Sequence, residues 1–189
     1  LFCTVITLSA CTSHINSDIN SSPDAFIPSP TTAVGTWELE LSSTWEIDLS
    51  NLLGNDYHYL DSENKSFSSG TLQEIISEYP NTVVYFYPKD GTPNCTIQAL
   101  DFSMMLADFR NAWYNVIWVS KDSVDSHMQF ANDNSLKIQL LQDGSGDLLK
   151  AFGSEWPLQE YGNGEELSDI IRSTYVIDST GKALYAIRD

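Results

Sequence analysis

The segment Val83-Val-Tyr-Phe-Tyr87 is an apolar run of buried-strand length that ends at Pro88, and shortly afterwards the hydrophobic period becomes that of a helix. Ile97, Leu100, Met104 and Ala107, joined by Phe102, Met105 and Phe109, recur at three- and four-residue steps. They predict a helix over about residues 95–112 with a wide apolar face and both methionines in the core. The same switch follows twice more. Val116-Ile-Trp-Val119 leads into a helical stretch from Ser123 to Asn132, where Ser123 and Asp125 suit an N-terminus. Ile138 to Leu141 leads through the Asp143-Gly144 turn to a short helix over Asp147 to Phe152, stopped by Gly153. Ser173 to Asp178, a turn, and Ala183 to Ile187 close the pattern as a hairpin. Strands alternating with helices predict an α/β fold with a central mixed sheet flanked by helices.

The chain has 189 residues, 42% of them hydrophobic, and the first thirty or so look non-globular, which leaves one domain of ordinary size. Its charge of -17 comes from 26 acidic residues against nine Lys and Arg. No basic run occurs, so nucleic acid is excluded as a partner class. A neutral substrate is indifferent to such a field, whereas an anionic one is repelled. Of the three cysteines, Cys3 and Cys11 sit in the N-terminal apolar stretch and Cys95 is in the globular region, so no disulfide framework or zinc cluster can be assembled. His14, His58 and His127 are isolated in sequence, and no metal or cofactor is expected. His127 reads as a surface or packing residue.

Residues 1–10 are uncharged and apolar, too short to span a bilayer, and fit the remnant of a secretory signal whose start precedes Leu1. Leu8-Ser9-Ala10-Cys11 resembles a bacterial lipobox, which implies lipidation of Cys11. The Ser-, Thr-, Asn- and Pro-rich residues 11–35 then form a solvated tether. The expected location is the bacterial cell envelope, lipid-anchored on the periplasmic side of the outer membrane or at the cell surface, with membrane contact through the anchor only. Residues 36–54 alternate with period two in Trp37-Glu-Leu39-Glu-Leu41 and Trp45-Glu-Ile47-Asp-Leu49, predicting an N-terminal strand extension.

Cys95 lies where strand and loop hand over to a helix, so its sulfur faces unsatisfied N–H groups and the positive end of the helix dipole, a setting that favours a thiolate. Ionisation of a thiol near neutral pH raises its rate at most about thirtyfold, roughly 2 kcal/mol. Fixed donors aimed at the atom where charge builds in the transition state contribute about 10² to 10³ each. The Thr92 hydroxyl and the loop N–H groups are such donors.

Pro88-x-x-x-Thr92-x-x-Cys95 after its strand resembles the active-site motif of the peroxiredoxin family, in particular the bacterioferritin-comigratory-protein subgroup. The resemblance spans residues 55–189 and includes Val119-Ser-Lys-Asp-Ser123, Leu140-Leu-Gln-Asp-Gly144 and Arg172-Ser-Thr-Tyr-Val-Ile-Asp178. It implies a thioredoxin-like fold and a peroxidase in which Cys95 is the peroxidatic thiolate, Thr92 bonds the peroxide, Pro88 shields the sulfur and Arg172 holds thiolate and substrate. The implied partners are a hydroperoxide and a thioredoxin-like or small-thiol reductant. Asn94 replaces the usual glycine, and Gln98, which also matches, reads as helix surface or a supporting residue.

Two departures matter. Many subgroup members carry a second cysteine five residues after the first, where this chain has Leu100, so a one-cysteine cycle recycled by an external thiol is expected. The family also continues past its final hairpin into a closing helix, and this sequence ends at Asp189, so the domain is expected to lack that helix. Ser154 to Ile171 reads as a mobile loop near the site. A disulfide oxidoreductase would need Cys-x-x-Cys, which is absent. The competing reading is a catalytically silent surface lipoprotein that keeps the peroxiredoxin shape for partner binding.

Overall fold

The computed structural model describes residues 47–155, 159–160, 166–167 and 170–188, and the expectations placed on residues 1–46, including Cys11, lie outside them. The first elements are β1 (Asp56–Asp61), β2 (Ser66–Thr71), α1 (Leu72–Ile76) and β3 (Asn81–Phe86). Then come α2 (Pro93–Asn111), β4 (Tyr114–Ser120), α3 (Val124–Asn134), β5 (Gln139–Gln142) and α4 (Asp147–Ala151). The last are β6 (Gln159–Glu160), β7 (Glu166–Leu167), β8 (Ser173–Asp178) and β9 (Ala183–Arg188).

Seven strands make one mixed sheet in the order β2-β1-β5-β4-β3-β8-β9. β3, β4 and β5 run parallel, and β1 and β8 flank them antiparallel. The central strands are buried on both faces, which is why Val83–Tyr87 and Val116–Val119 are continuous apolar runs rather than alternating ones. Period two divides their side chains between two cores. Val84, Phe86, Ile117 and Val119 pack with Leu72 and Ile76 of α1 and Leu148 and Leu149 of α4. Val83, Tyr85, Val116 and Trp118 share the other face with Cys95, Ala99 and Leu106 of α2 and Phe130 of α3. Each fully buried large apolar side chain contributes about 1.5 to 3 kcal/mol.

Three expectations are corrected. α2 buries only part of the predicted face: Phe102 and Phe109 pack against the core, but Ile97 is 60% and Met104 73% exposed, with Leu100 and Ala107 also exposed, and Cys95, Ala99 and Leu106 are buried against the sheet instead. The strand aromatics Tyr85 and Trp118, with ring centroids 4.4 Å apart, fill the layer beneath α2, and the helix meets that layer with the small Cys95 and Ala99 beside the Phe102 ring, 5.4 Å from Tyr85 and 5.5 Å from Trp118. Ile47–Leu49 is irregular and leads into turns over residues 50–54, so the part of the expected extension that is described holds no strand. Its alternation serves packing instead, since Leu49 is buried among the α1 and β8 side chains. Within the expected loop Ser154 to Ile171, Glu155 pairs with Ile170, and β6 pairs antiparallel with β7.

Candidate active site

The sheet register builds the site. β3 and β8 pair with Phe86 opposite Ser173, so Arg172 lies level with Tyr87, where the chain leaves the sheet for the Pro88–Thr92 loop. Gly91 takes φ +70, a left-handed angle that glycine adopts without strain, and turns the loop into Thr92, the N-cap of α2. Pro93 follows in the first helical position, where a missing N–H costs nothing. Cys95 therefore falls in the first turn, ahead of the first intrahelical bond, Thr96 N–H to the Thr92 carbonyl at 2.9 Å. Its own N–H belongs to the unsatisfied end of the helix. Asn94 is helical and needs none of glycine's freedom.

The Cys95 side chain is fully buried, and both terminal nitrogens of Arg172 lie 3.5 Å from its sulfur. The fork is held in turn. Nη1 donates to the Tyr85 hydroxyl at 3.1 Å and to Oε1 of Gln98, and Tyr85 donates to that same Oε1 at 2.5 Å. Burial works against the guanidinium charge, but the hydrogen bonds to Tyr85 and Cys95 outweigh it and move the pKa of Arg172 upward. The cation is permanent at any working pH.

Arg172 and Cys95 thus meet across 77 positions of sequence. The Thr92 hydroxyl does not reach toward the sulfur here; it donates to the Lys89 carbonyl at 3.2 Å, and it makes no capping bond to α2. Pro88 is half-buried at the start of the loop. Tyr85 was not among the residues expected from sequence, although a buried strand tyrosine on the Cys95 face needs a partner for its hydroxyl, and that is the signal it carries. Gln98, three residues after Cys95 on the same helix face, is a support for Arg172 rather than surface.

A buried sulfur at a helix N-terminus, gripped by a braced guanidinium on a thioredoxin-like sheet, defines a thiol-based redox enzyme. Residues 56–186 match the model of the AhpC/TSA family. Peroxiredoxin Bcp of Xanthomonas campestris is 38% identical over 124 residues, 65% of this chain and 76% of that protein. Peroxiredoxin Bcp of Bacillus subtilis is 39% identical over 111 residues, 58% of this chain and 69% of that one. The structure of Xanthomonas campestris peroxiredoxin Q superposes with a TM-score of 0.63 at 30% identity, covering 74% of this chain and 82% of that one. A structure of the Xanthomonas campestris bacterioferritin comigratory protein, described for its alkyl peroxide reduction activity, matches with the same score at 29% identity, covering 74% of this chain and 83% of that one. The chain belongs to the AhpC/TSA family, as a peroxiredoxin of the bacterioferritin-comigratory-protein subgroup and hence a thiol-dependent peroxidase.

Proposed function

We propose that this peroxiredoxin reduces hydrogen peroxide and small organic hydroperoxides at Cys95 in a one-cysteine cycle. The observation that carries the reading is the Arg172 fork on the Cys95 sulfur. The thiolate attacks one peroxide oxygen, the S–O bond forms as the O–O bond breaks, and the departing alkoxide or hydroxide leaves as alcohol or water after taking a proton. Sulfur is oxidised to sulfenic acid and the peroxide is reduced. Arg172 holds the attacking sulfur and presents N–H donors beside the forming charge. The Thr92 hydroxyl, free of any capping duty, turns from the Lys89 carbonyl to the peroxide, and Pro88 covers the approach.

Recycling follows from the single thiol of the described residues. An external thiol condenses with the sulfenic acid, releasing water and forming a mixed disulfide, and a second thiol frees Cys95. A thioredoxin-like protein or a small thiol fits that role. Leu100, at the position of the usual second cysteine, supports the absence of an internal step. Peroxide treatment without reductant, followed by non-reducing peptide mapping, tests it: Cys95 trapped as a sulfenic acid adduct is expected, and an intramolecular disulfide through Cys95 would overturn the one-cysteine cycle.

The location is a separate proposal: Cys11 carries lipid and tethers the domain at the bacterial cell envelope. The Leu8-Ser9-Ala10-Cys11 pattern and the polar stretch behind it support this. Labelling with a fatty-acid analogue in a bacterial host is expected to mark the parent and not Cys11→Ser; labelling of neither would contradict it.

A further inference from the structure

The loop joining β3 to α2 is gripped by a polar cluster that the peroxide chemistry above leaves unused. Asp90 stands midway between Pro88 and Thr92. One of its carboxylate oxygens accepts the Tyr87 hydroxyl at 2.6 Å, and the other accepts the Ser126 hydroxyl at 2.8 Å and lies 2.9 Å from His127 Nδ1. The Asp90 N–H donates to Asp122 at 2.8 Å, and Asp122 also accepts the Ser120 hydroxyl at 3.0 Å. His127 is fully buried, its Nδ1 also 3.4 Å from the Tyr87 hydroxyl, and its Nε2 has no hydrogen-bond partner. Tyr87 remains a phenol, because burial first and the Asp90 charge second push its pKa well up. With the tyrosine and serine protons both directed at Asp90, the Nδ1 of His127 is the third donor to the same carboxylate.

The direction of these bonds is what carries meaning. A loop that needed only to turn has Gly91 for that purpose. Every restraint on Asp90 comes instead from outside the turn: from the end of β3, from the first turns of α3, and from the residues that follow β4. Three separate segments therefore fix the place of the Pro88–Thr92 loop. A buried carboxylate and imidazole are costly to place unless bonded, and here each is bonded to the other.

We propose that Asp90 and His127 are positioning residues for peroxide reduction: their contact fixes the backbone of the loop, so that Pro88 stays over the approach and the Thr92 hydroxyl, once turned from the Lys89 carbonyl, meets the peroxide at Cys95. The proposal rests on the peroxidase reading. It predicts a separation between two reactions of the same sulfur. Peroxide reduction needs the loop in its place, whereas alkylation by iodoacetamide needs only access to the buried sulfur, which a loosened loop does not hinder.

The experiment uses the full chain as parent, His127→Leu, His127→Asn and Asp90→Asn. Single-turnover oxidation of Cys95 by hydrogen peroxide is measured beside its alkylation by iodoacetamide, well below each protein's melting temperature. His127→Leu is expected to slow oxidation by about tenfold to a hundredfold, the usual effect of a misplaced reacting group, while alkylation of the sulfur is expected to hold or rise rather than fall with it. His127→Asn, whose amide N–H replaces that of Nδ1, is expected to recover most of the loss. Oxidation unchanged in His127→Leu, or oxidation and alkylation slowed equally, would overturn the proposal. Should His127→Leu fail to fold, Asp90→Asn carries the same expectation and the same refutation. A parent whose Cys95 is not oxidised at all would refute the peroxidase reading itself, a result distinct from equal rates in parent and variants.

Discussion

Arg172 does two things that a lysine could not do together: both terminal nitrogens lie against one sulfur, while Nη1 is also tied to Tyr85 and Gln98. Arg172→Lys keeps the charge and loses the fork, so peroxide-dependent oxidation of Cys95 is expected to fall by about 10² to 10³, measured in a single turnover. Gln98→Ala and Tyr85→Phe leave the fork in place but unbraced, and a smaller loss, about tenfold, is expected in the same assay. Of these residues, Cys95, Arg172, Thr92 and Pro88 are legible as a motif plus a distant arginine. Tyr85 is hidden because its hydroxyl sits on a strand whose neighbours are all apolar. Asp90 and His127 are hidden because a pairing across 37 positions leaves no local period to read.

α1 and α3 open on side-chain caps. Ser123 accepts the Ser126 N–H at 3.3 Å and opens α3, the helix that carries His127. Ser123→Ala is expected to lower unfolding free energy by about 1 kcal/mol in denaturant titration, and an unchanged midpoint would show that the cap is idle. The turn from β8 to β9 is tied by Asp178, whose carboxylate accepts from the Thr180 N–H, the Thr180 hydroxyl and the Lys182 N–H. The Thr180 side-chain bond chiefly holds its pKa below the usual 3.8. A depressed folded pKa means stability that is complete above pH 3.8 and is lost as pH falls through the folded value. Asp178→Asn should therefore flatten part of the decline in melting temperature below pH 3.8; identical acid limbs would deny Asp178 that role.

At this scale the central strands, the final hairpin and the starts of α3 and α4 are readable from apolar runs and turn residues. β1 and β2 are not, because Asp56–Asp61 and Ser66–Thr71 lie at the margin of the sheet, where one edge or face meets solvent and the sequence is largely polar. α1 spans five residues, too few to show a period. α2 misleads because apolar side chains occur all round it, and which of them meet Tyr85 and Trp118, the small Cys95 and Ala99 beside Phe102, is set by tertiary packing that periodicity does not show.

For the whole molecule, the excess of acidic groups adds self-repulsion to the folded state. Melting temperature is expected to rise as salt is raised from about 10 mM to about 150 mM, over which the screening length contracts from about 30 to about 8 Å. A flat response would show that self-repulsion does not limit the stability of the fold. The neutral peroxide is insensitive to that field, so its oxidation of Cys95 should change little over the same range.

Turnover rests on one sulfur, that of Cys95. Hydrogen peroxide consumption in the presence of a thiol reductant, compared between the parent and Cys95→Ser at equal concentration, tests it most directly. The parent is expected to consume peroxide catalytically and the variant to match the buffer with reductant alone; equal rates in the two proteins would contradict the assignment of the chemistry to Cys95.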